Sequence, residues 1–288
     1  MKLENTLLAG LVLVLLLAPL PFGSVRPLAA SVLALACLGL AIAWMVGRSR
    51  SGRPCLPWRD PVLVAGILLV FLGFLQIVPL PRSALEVVSP HSVEIRDRYE
   101  PEQFEAASNM PERIGAASDW RPLSFHPWAT RQSLLRLLAL VLLALMVIDL
   151  LQTRRARRIL ALALVGVGSF QAAYGLFEYF SDRQHIFAYE KIHYTDMATG
   201  TFINRNHFAG LLELTLPMAV ALGVSLLPVN DSRPGSRMLK WVDTFSRREI
   251  FFATLFLLLG TTMVTALICS GSRMGFAGGL ISLLWLGS

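Results

Sequence analysis

Residues 133–180 read SLLRLLALVLLALMVIDLLQTRRARRILALALVGVGSFQAAYGLFEYF. Two apolar runs, 133–151 and 159–180, flank a basic hinge, QTRRARR, with Arg154, Arg155, Arg157 and Arg158. A helix that crosses a bilayer needs about 20 mostly apolar residues, and each run meets that length. A short arginine-rich link between two such runs is the pattern of consecutive membrane spans joined on the cytoplasmic side.

Working outward, further apolar runs lie at 3–22, 27–46, 61–80, 207–228 and 250–270. Another begins near Met274 and reaches Ser288, a stretch too short for a full crossing. The expected class is all-α: a polytopic transmembrane helix bundle of seven to eight spans with one long outer loop. The expected blocks are 1–80 with three N-terminal spans, 81–132 as the outer loop, and 133–288 as a core incomplete at its C-terminal end. Lys2 and the run Thr6–Leu20 have the shape of a signal peptide, but a second run starts at Pro27, which favours a retained first span.

Composition agrees. The chain is 55% hydrophobic and 16% charged, with a mean hydropathy of +0.58, far from the balance of a soluble domain. The net charge of +7 sits in short loops beside apolar runs. That placement fits orientation and anionic lipid, and speaks against nucleic acid. Cys37, Cys55 and Cys269 form no CxxC or Cys/His spacing, so neither a disulfide framework nor a zinc site is expected.

Basic residues also fill the loops after the second and sixth runs: Arg48, Arg50, Arg53 and Arg59, then Arg233, Arg237, Lys240, Arg247 and Arg248. These alternate with the QTRRARR hinge, so all three loops and the N-terminus are expected on the cytoplasmic side of the membrane. Loops 81–132, 181–206 and the turn at Ser270–Arg273 are then expected to face outward, which in a bacterium means the periplasm. The first of these is long, and long loops translocate largely regardless of charge.

Polar residues in membrane helices face a cavity or a partner, so the exceptions carry information. GTFINRNHFAG at 200–210 puts Asn204, Arg205, Asn206 and His207 at one mouth. Asn206, Gly210, Glu213 and Pro217 share a helix face, with Glu213 about 10 Å below Asn206. A carboxylate at that depth calls for a partner, and Arg205 or Arg273 would serve. Gln171, Tyr174 and Glu178 make a second polar stripe, and Thr261 and Thr265 share a face of the 250–270 run. CSGSRMG at 269–275 reads as a tight glycine turn that leaves Arg273 at the outer surface. His185, His193 and Tyr194 lie in the second outer loop.

Guanidinium groups suit phosphate, because their planar fork gives bidentate, permanently charged hydrogen bonds. A helix start adds free N–H groups and the positive end of the dipole. Structural readings stand beside this one. Asn204 caps a helix, Arg205 and Arg273 anchor to lipid headgroups, His207 bonds at the interface, Glu213 pairs with an arginine, and the Gln171 stripe glues helices together.

GTFINRNHFAGLLELTLPMA, followed by SGSRMGFAGG, resembles the O-antigen ligase and O-antigen polymerase superfamily of bacterial inner membranes. SFHPWATRQSLLRLLAL at 124–140 is similar to the start of that family's common region, so the resemblance runs from Ser124 to the end of the chain. Residues 1–123 resemble it only in being hydrophobic spans before an outer loop.

The resemblance implies a GT-C-type glycosyltransferase acting at the periplasmic face without a metal or other cofactor. The donor is a glycan on undecaprenyl pyrophosphate, and the acceptor is a glycan or the lipid A–core sugar. Arg205 and Arg273 match the two outer arginines that hold the donor pyrophosphate. Asn204, Asn206, Glu213, Tyr174 and Glu178 are then expected to orient substrate or support the arginines. The acceptor base of the family lies on a later outer loop that this chain does not reach, which leaves His207 as the catalytic candidate. Two other readings stand: an anion transporter or channel using the same polar residues, and an inactive truncated bundle.

Overall fold

The computed structural model describes residues 2–53, 60–99, 120–226 and 247–287. Its helices are α1 (Lys2–Leu17), α2 (Pro27–Arg50), α3 (Pro61–Leu75), α4 (Arg82–Val88), α5 (Pro90–Tyr99), α6 (Pro127–Leu150), α7 (Arg154–Phe180), α8 (Arg205–Val224), α9 (Arg247–Cys269) and α10 (Arg273–Gly287). Four short strands accompany them: β1 (Pro79–Pro81), β2 (Trp120–Pro122), β3 (His185–Ile186) and β4 (Tyr189–Glu190).

Five helices, α2, α6, α7, α8 and α9, are long and apolar enough to cross a membrane. The chain is thus a helical membrane protein by length and composition. The apolar helices α1, α3 and α10 are shorter, at 16, 15 and 15 residues.

Two expected spans end early because hydropathy does not register proline. Pro19 disfavours a helical residue before it, and α1 stops at Leu17. The run expected to span 61–80 stops at Leu75, and Pro79–Pro81 becomes β1, paired antiparallel with β2. The next helix starts earlier than its apolar run. Proline at the first helical position costs no hydrogen bond, so α6 begins at Pro127 rather than 133. The 81–132 segment is not simply a loop, since it carries α4, α5 and β2. Cys55, Arg59, Arg233, Arg237 and Lys240 lie outside the described residues.

The chain divides into two compact units. The unit of residues 37–148 holds α3 and most of α6, which run antiparallel. Gly66 meets Val141, and Gly73 meets Leu134. Ser124 N donates to Gln76 O (2.8 Å) beside the β1–β2 pair. Arg96 donates to the carbonyls of Pro122 (2.7 Å) and Ser124 (3.2 Å) and lies over the Phe125 ring. Burial, and then the nearby Arg121, lower the Arg96 pKa from its ordinary value. Arg82 links α4 to α5 through Asp97 (2.7 Å) and also pairs with Glu86 (3.0 Å).

The unit of residues 1–36 and 149–288 contains α1, α7, α8, α9 and α10. Its core is Val165, Ala172, Phe208, Ala209, Leu212, Leu216, Ala219, Met263, Ala266 and Leu267, with Ala198 and Phe202 from the loop before α8. In lipid there is little hydrophobic gain between helices, so close packing at small residues holds them together. Gly168 lets α7 approach Thr215 of α8 and Met263 of α9, and Gly175 receives the backbone of Gly200. Gly223 sits against Phe256 and Leu257, so α8 and α9 are antiparallel.

Helix α10 runs parallel to α8. Ser272 meets Asn206, Gly275 meets Ala209, and Gly278 meets Glu213. Three links share the end where these helices begin. Thr201 donates its hydroxyl hydrogen to Pro19 O (2.7 Å), joining the loop before α8 to the α1–α2 link. Ala198 N donates to Cys269 O (3.1 Å), joining the same loop to the α9–α10 turn.

Candidate functional site

A groove of about 890 Å³ opens between α8 and α10. Arg205, Asn206, Glu213 and Arg273 supply its polar wall, and Gly210, Gly275, Gly278, Ala277 and Ile281 much of the rest. Arg205 and Arg273 are the first residues of their helices, so both guanidinium groups project from first turns at one end of the unit.

Local chemistry sets both starts. Asn204 caps α8, its side chain accepting from Asn206 N (2.8 Å). Ser272 performs the same service for α10, its hydroxyl oxygen accepting from Gly275 N (3.3 Å). That hydroxyl also donates to Asn206 Oδ1 (3.0 Å), which fixes the two first turns in register. Gly271, at φ +61°, makes the turn that brings α10 round. A Cβ there would stand 3.2 Å from Arg205 Nη1.

The two arginines differ in surroundings. Arg273 is exposed, with no hydrogen bond or ion pair among the described residues. Arg205 is half-buried. Its Nη1 donates to Met197 Sδ (2.8 Å), its guanidinium lies over the Tyr194 ring (5.5 Å), and its buried Nε has no partner. A thioether and a ring face are weak acceptors for a guanidinium.

Glu213 shares the groove but pairs with neither arginine. The expected ion pair to Arg205 or Arg273 is absent among the described residues, because the carboxylate instead lies against Gly278 of α10, where any Cβ would collide with it. Two guanidinium groups against one carboxylate leave the lining with an excess of positive charge.

The remaining sequence candidates fall elsewhere. His207 follows Asn206 in the first turn, is exposed, and does not line the groove. Asn204 caps. The Gln171, Tyr174 and Glu178 stripe tethers the 181–204 loop to α7. Gln171, fully buried, accepts from Thr201 N (2.9 Å) and donates to Thr201 Oγ1 (2.9 Å). Tyr174 OH accepts from Phe187 N (2.7 Å), and Glu178, also buried, accepts from His185 N (2.9 Å). His193 is exposed in this loop. Thr261 and Thr265 donate to carbonyls of their own helix, at Leu257 and Thr261.

Sequence reasoning missed Ser272, Met197 and Lys191. Serine before a helix start with an N–H three residues on is a capping signal, and it marks Ser272. The positions of Met197 and Lys191 depend on how the loop folds, and no local pattern marks them.

No metal-ligating cluster of His, Cys, Asp or Glu is present among the described residues. Comparison with family models, curated proteins and solved structures finds no match for this chain. The fold and groove define a helical membrane protein with an arginine-bearing cleft at one end of its larger unit.

Proposed function

We propose that the groove holds the diphosphate of a lipid-linked glycan, undecaprenyl pyrophosphate being the carrier expected, and that the protein transfers this glycan to an acceptor sugar at the periplasmic face of the bacterial inner membrane. The bundle in this reading has seven to eight spans of GT-C type, and its N-terminus is cytoplasmic. The activity in this reading is that of an O-antigen ligase or a polysaccharide polymerase. The observation that carries it is the presence of Arg205 and Arg273, on the first turns of two parallel helices, in one groove.

The chemistry follows from that placement. The acceptor oxygen attacks the anomeric carbon, and the bond from that carbon to the diphosphate oxygen breaks. The diphosphate leaves with the electron pair. Negative charge grows on it as the bond breaks, and fixed guanidinium groups stabilise it without reorganising. The positive ends of the two helix dipoles add to this field. The groove continues below the arginines between Gly210 and Gly278, where a carrier chain would lie along the helices. Removal of the acceptor proton falls to a group outside the groove wall. His207, exposed beside Asn206 with its ring unbonded, is the candidate among the described residues.

The test is glycan transfer in membranes carrying the Arg205→Ala or Arg273→Ala chain. Loss of transfer at normal protein level is expected from either change. Wild-type transfer by either variant would remove the reading, and substrate flux in proteoliposomes without any acceptor would point to a transporter instead.

A further inference from the structure

Behind the groove, two cations converge on one methionine. Lys191 follows β4 and turns inward. It is only 6% exposed, and its Nζ makes one long hydrogen bond, to Met197 O (3.4 Å). Arg205 Nη1 meets the sulfur of that same residue (2.8 Å). Two residues further on, Thr199 is fully buried and its Oγ1 has no partner, as is true of Arg205 Nε.

Burying an ammonium group without a counter-ion is costly. Burial lowers the Lys191 pKa from its ordinary value, while the Glu178 carboxylate acts through space to raise it. Lys191 forms no ion pair with Glu178 among the described residues. Lys191 and Arg205 thus meet at Met197 with few acceptors: the ammonium has one long bond, the guanidinium Nε has none, and a thioether fills another place. A ligand with several anionic oxygens supplies what is missing. Methionine is unbranched and turns about three side-chain bonds, so its sulfur can leave Arg205 without moving the backbone.

We infer that Lys191 is a third cation of the anion site, and that Met197 sulfur occupies on Arg205 the place a phosphate oxygen takes when the ligand enters. This rests on the reading of the Arg205–Arg273 groove as a diphosphate site, and it adds to that reading a residue from the loop between α7 and α8. In the free protein Met197 stands between Lys191 and the groove. With the ligand bound, the long lysine stem reaches the oxygen that replaces the sulfur.

The experiment is calorimetric titration of the full chain in lipid nanodiscs with inorganic pyrophosphate. A charge-assisted hydrogen bond contributes on the order of tenfold in affinity. Lys191→Met is expected to weaken binding by about that factor, and Lys191→Arg to stay within roughly threefold of wild type, since the charge is kept. Met197→Leu is expected to tighten binding, because the competing acceptor is gone while the packing volume is retained.

Wild-type affinity in Lys191→Met, with binding lost in Arg205→Ala and Arg273→Ala, overturns this inference and leaves the groove reading in place. Undiminished binding in both arginine variants, or none in the wild type, overturns the groove reading and this inference with it. If Lys191→Met fails to fold, Met197→Leu decides, and affinity equal to or weaker than wild type overturns the inference.

Discussion

Ser272 donates its hydroxyl hydrogen to Asn206 Oδ1 at 3.0 Å, and this one bond locks the first turn of α10 to the first turn of α8. Each partner sits beside a groove arginine, Asn206 next to Arg205 and Ser272 next to Arg273. The bond therefore sets the register of the two helix starts that carry the guanidinium groups. Ser272→Ala removes both this bond and the acceptor for Gly275 N. Loss of a cap costs about 1 kcal/mol, so a small drop in melting temperature is expected. Pyrophosphate affinity, measured by titration, should fall more than the stability loss alone would cause.

Gly278 and Glu213 make the second contact that shapes the groove. A Cβ on residue 278 would strike the Glu213 carboxylate, the movable end of a long side chain. Gly278→Ala is expected to leave the fold intact and push the carboxylate toward the arginines. Anion binding should weaken, and Gly278→Ala combined with Glu213→Gln should recover it. Titration of both variants checks this.

The tether from Gln171 to Thr201 predicts a local effect. Gln171→Ala leaves the buried Thr201 N–H without its acceptor, which costs about 1–3 kcal/mol. Hydrogen exchange should speed up at residues 199–202, with much smaller changes in α8 and α9. Gly168 supplies the contrast. A Cβ there meets Thr215 and Met263 in the helix core, and overpacking of that kind costs about 1–3 kcal/mol. Gly168→Ala should lower the melting temperature of the whole unit.

Lys191 makes a pH prediction whose sign is fixed by burial, the cause that lowers its pKa. Below the folded value the side chain is protonated in both states, and the fold bears the full penalty. Between the folded value and the ordinary lysine value of about 10.4, the unfolded chain binds more protons, so stability rises with pH across that window. Subtracting the profile of Lys191→Met from that of the wild type isolates the contribution. The difference should favour the wild type increasingly as the solution becomes more alkaline through that range.

His207 is assigned the acceptor proton by its position and its unbonded ring. His207→Gln is expected to slow glycan transfer by about a hundredfold or more, the range general bases contribute. Pyrophosphate affinity should be unchanged, because His207 does not line the groove. Transfer at the wild-type rate would take the base role from this residue.

Much of the fold was legible in the sequence because apolar length and arginine blocks mark helices directly. Every expected apolar run contains a helix, from α1 to α10. What hydropathy could not register was proline: Pro19 and Pro79 ended runs early, and Pro127 began one early. Helical periodicity put Asn206, Gly210 and Glu213 on one face, and they share one wall of the groove. The same periodicity grouped Gln171, Tyr174 and Glu178, yet could not say that this stripe faces a loop. Glu213 was expected to need an arginine. The space over Gly278 that receives its carboxylate exists only once α10 packs along α8, and spacing within a single helix cannot foresee that. Lys191 and Met197 reach Arg205 by tertiary folding alone.

The most direct measurement is a double-mutant cycle on Arg205 and Arg273, reading the affinity of the full chain in nanodiscs for a polyprenyl diphosphate. Residues that grip one ligand are coupled, by about 0.5 kcal/mol or more. The account predicts that each alanine change weakens binding and that the double variant loses much less than the two losses combined. Full additivity, or binding untouched by either change, would contradict it.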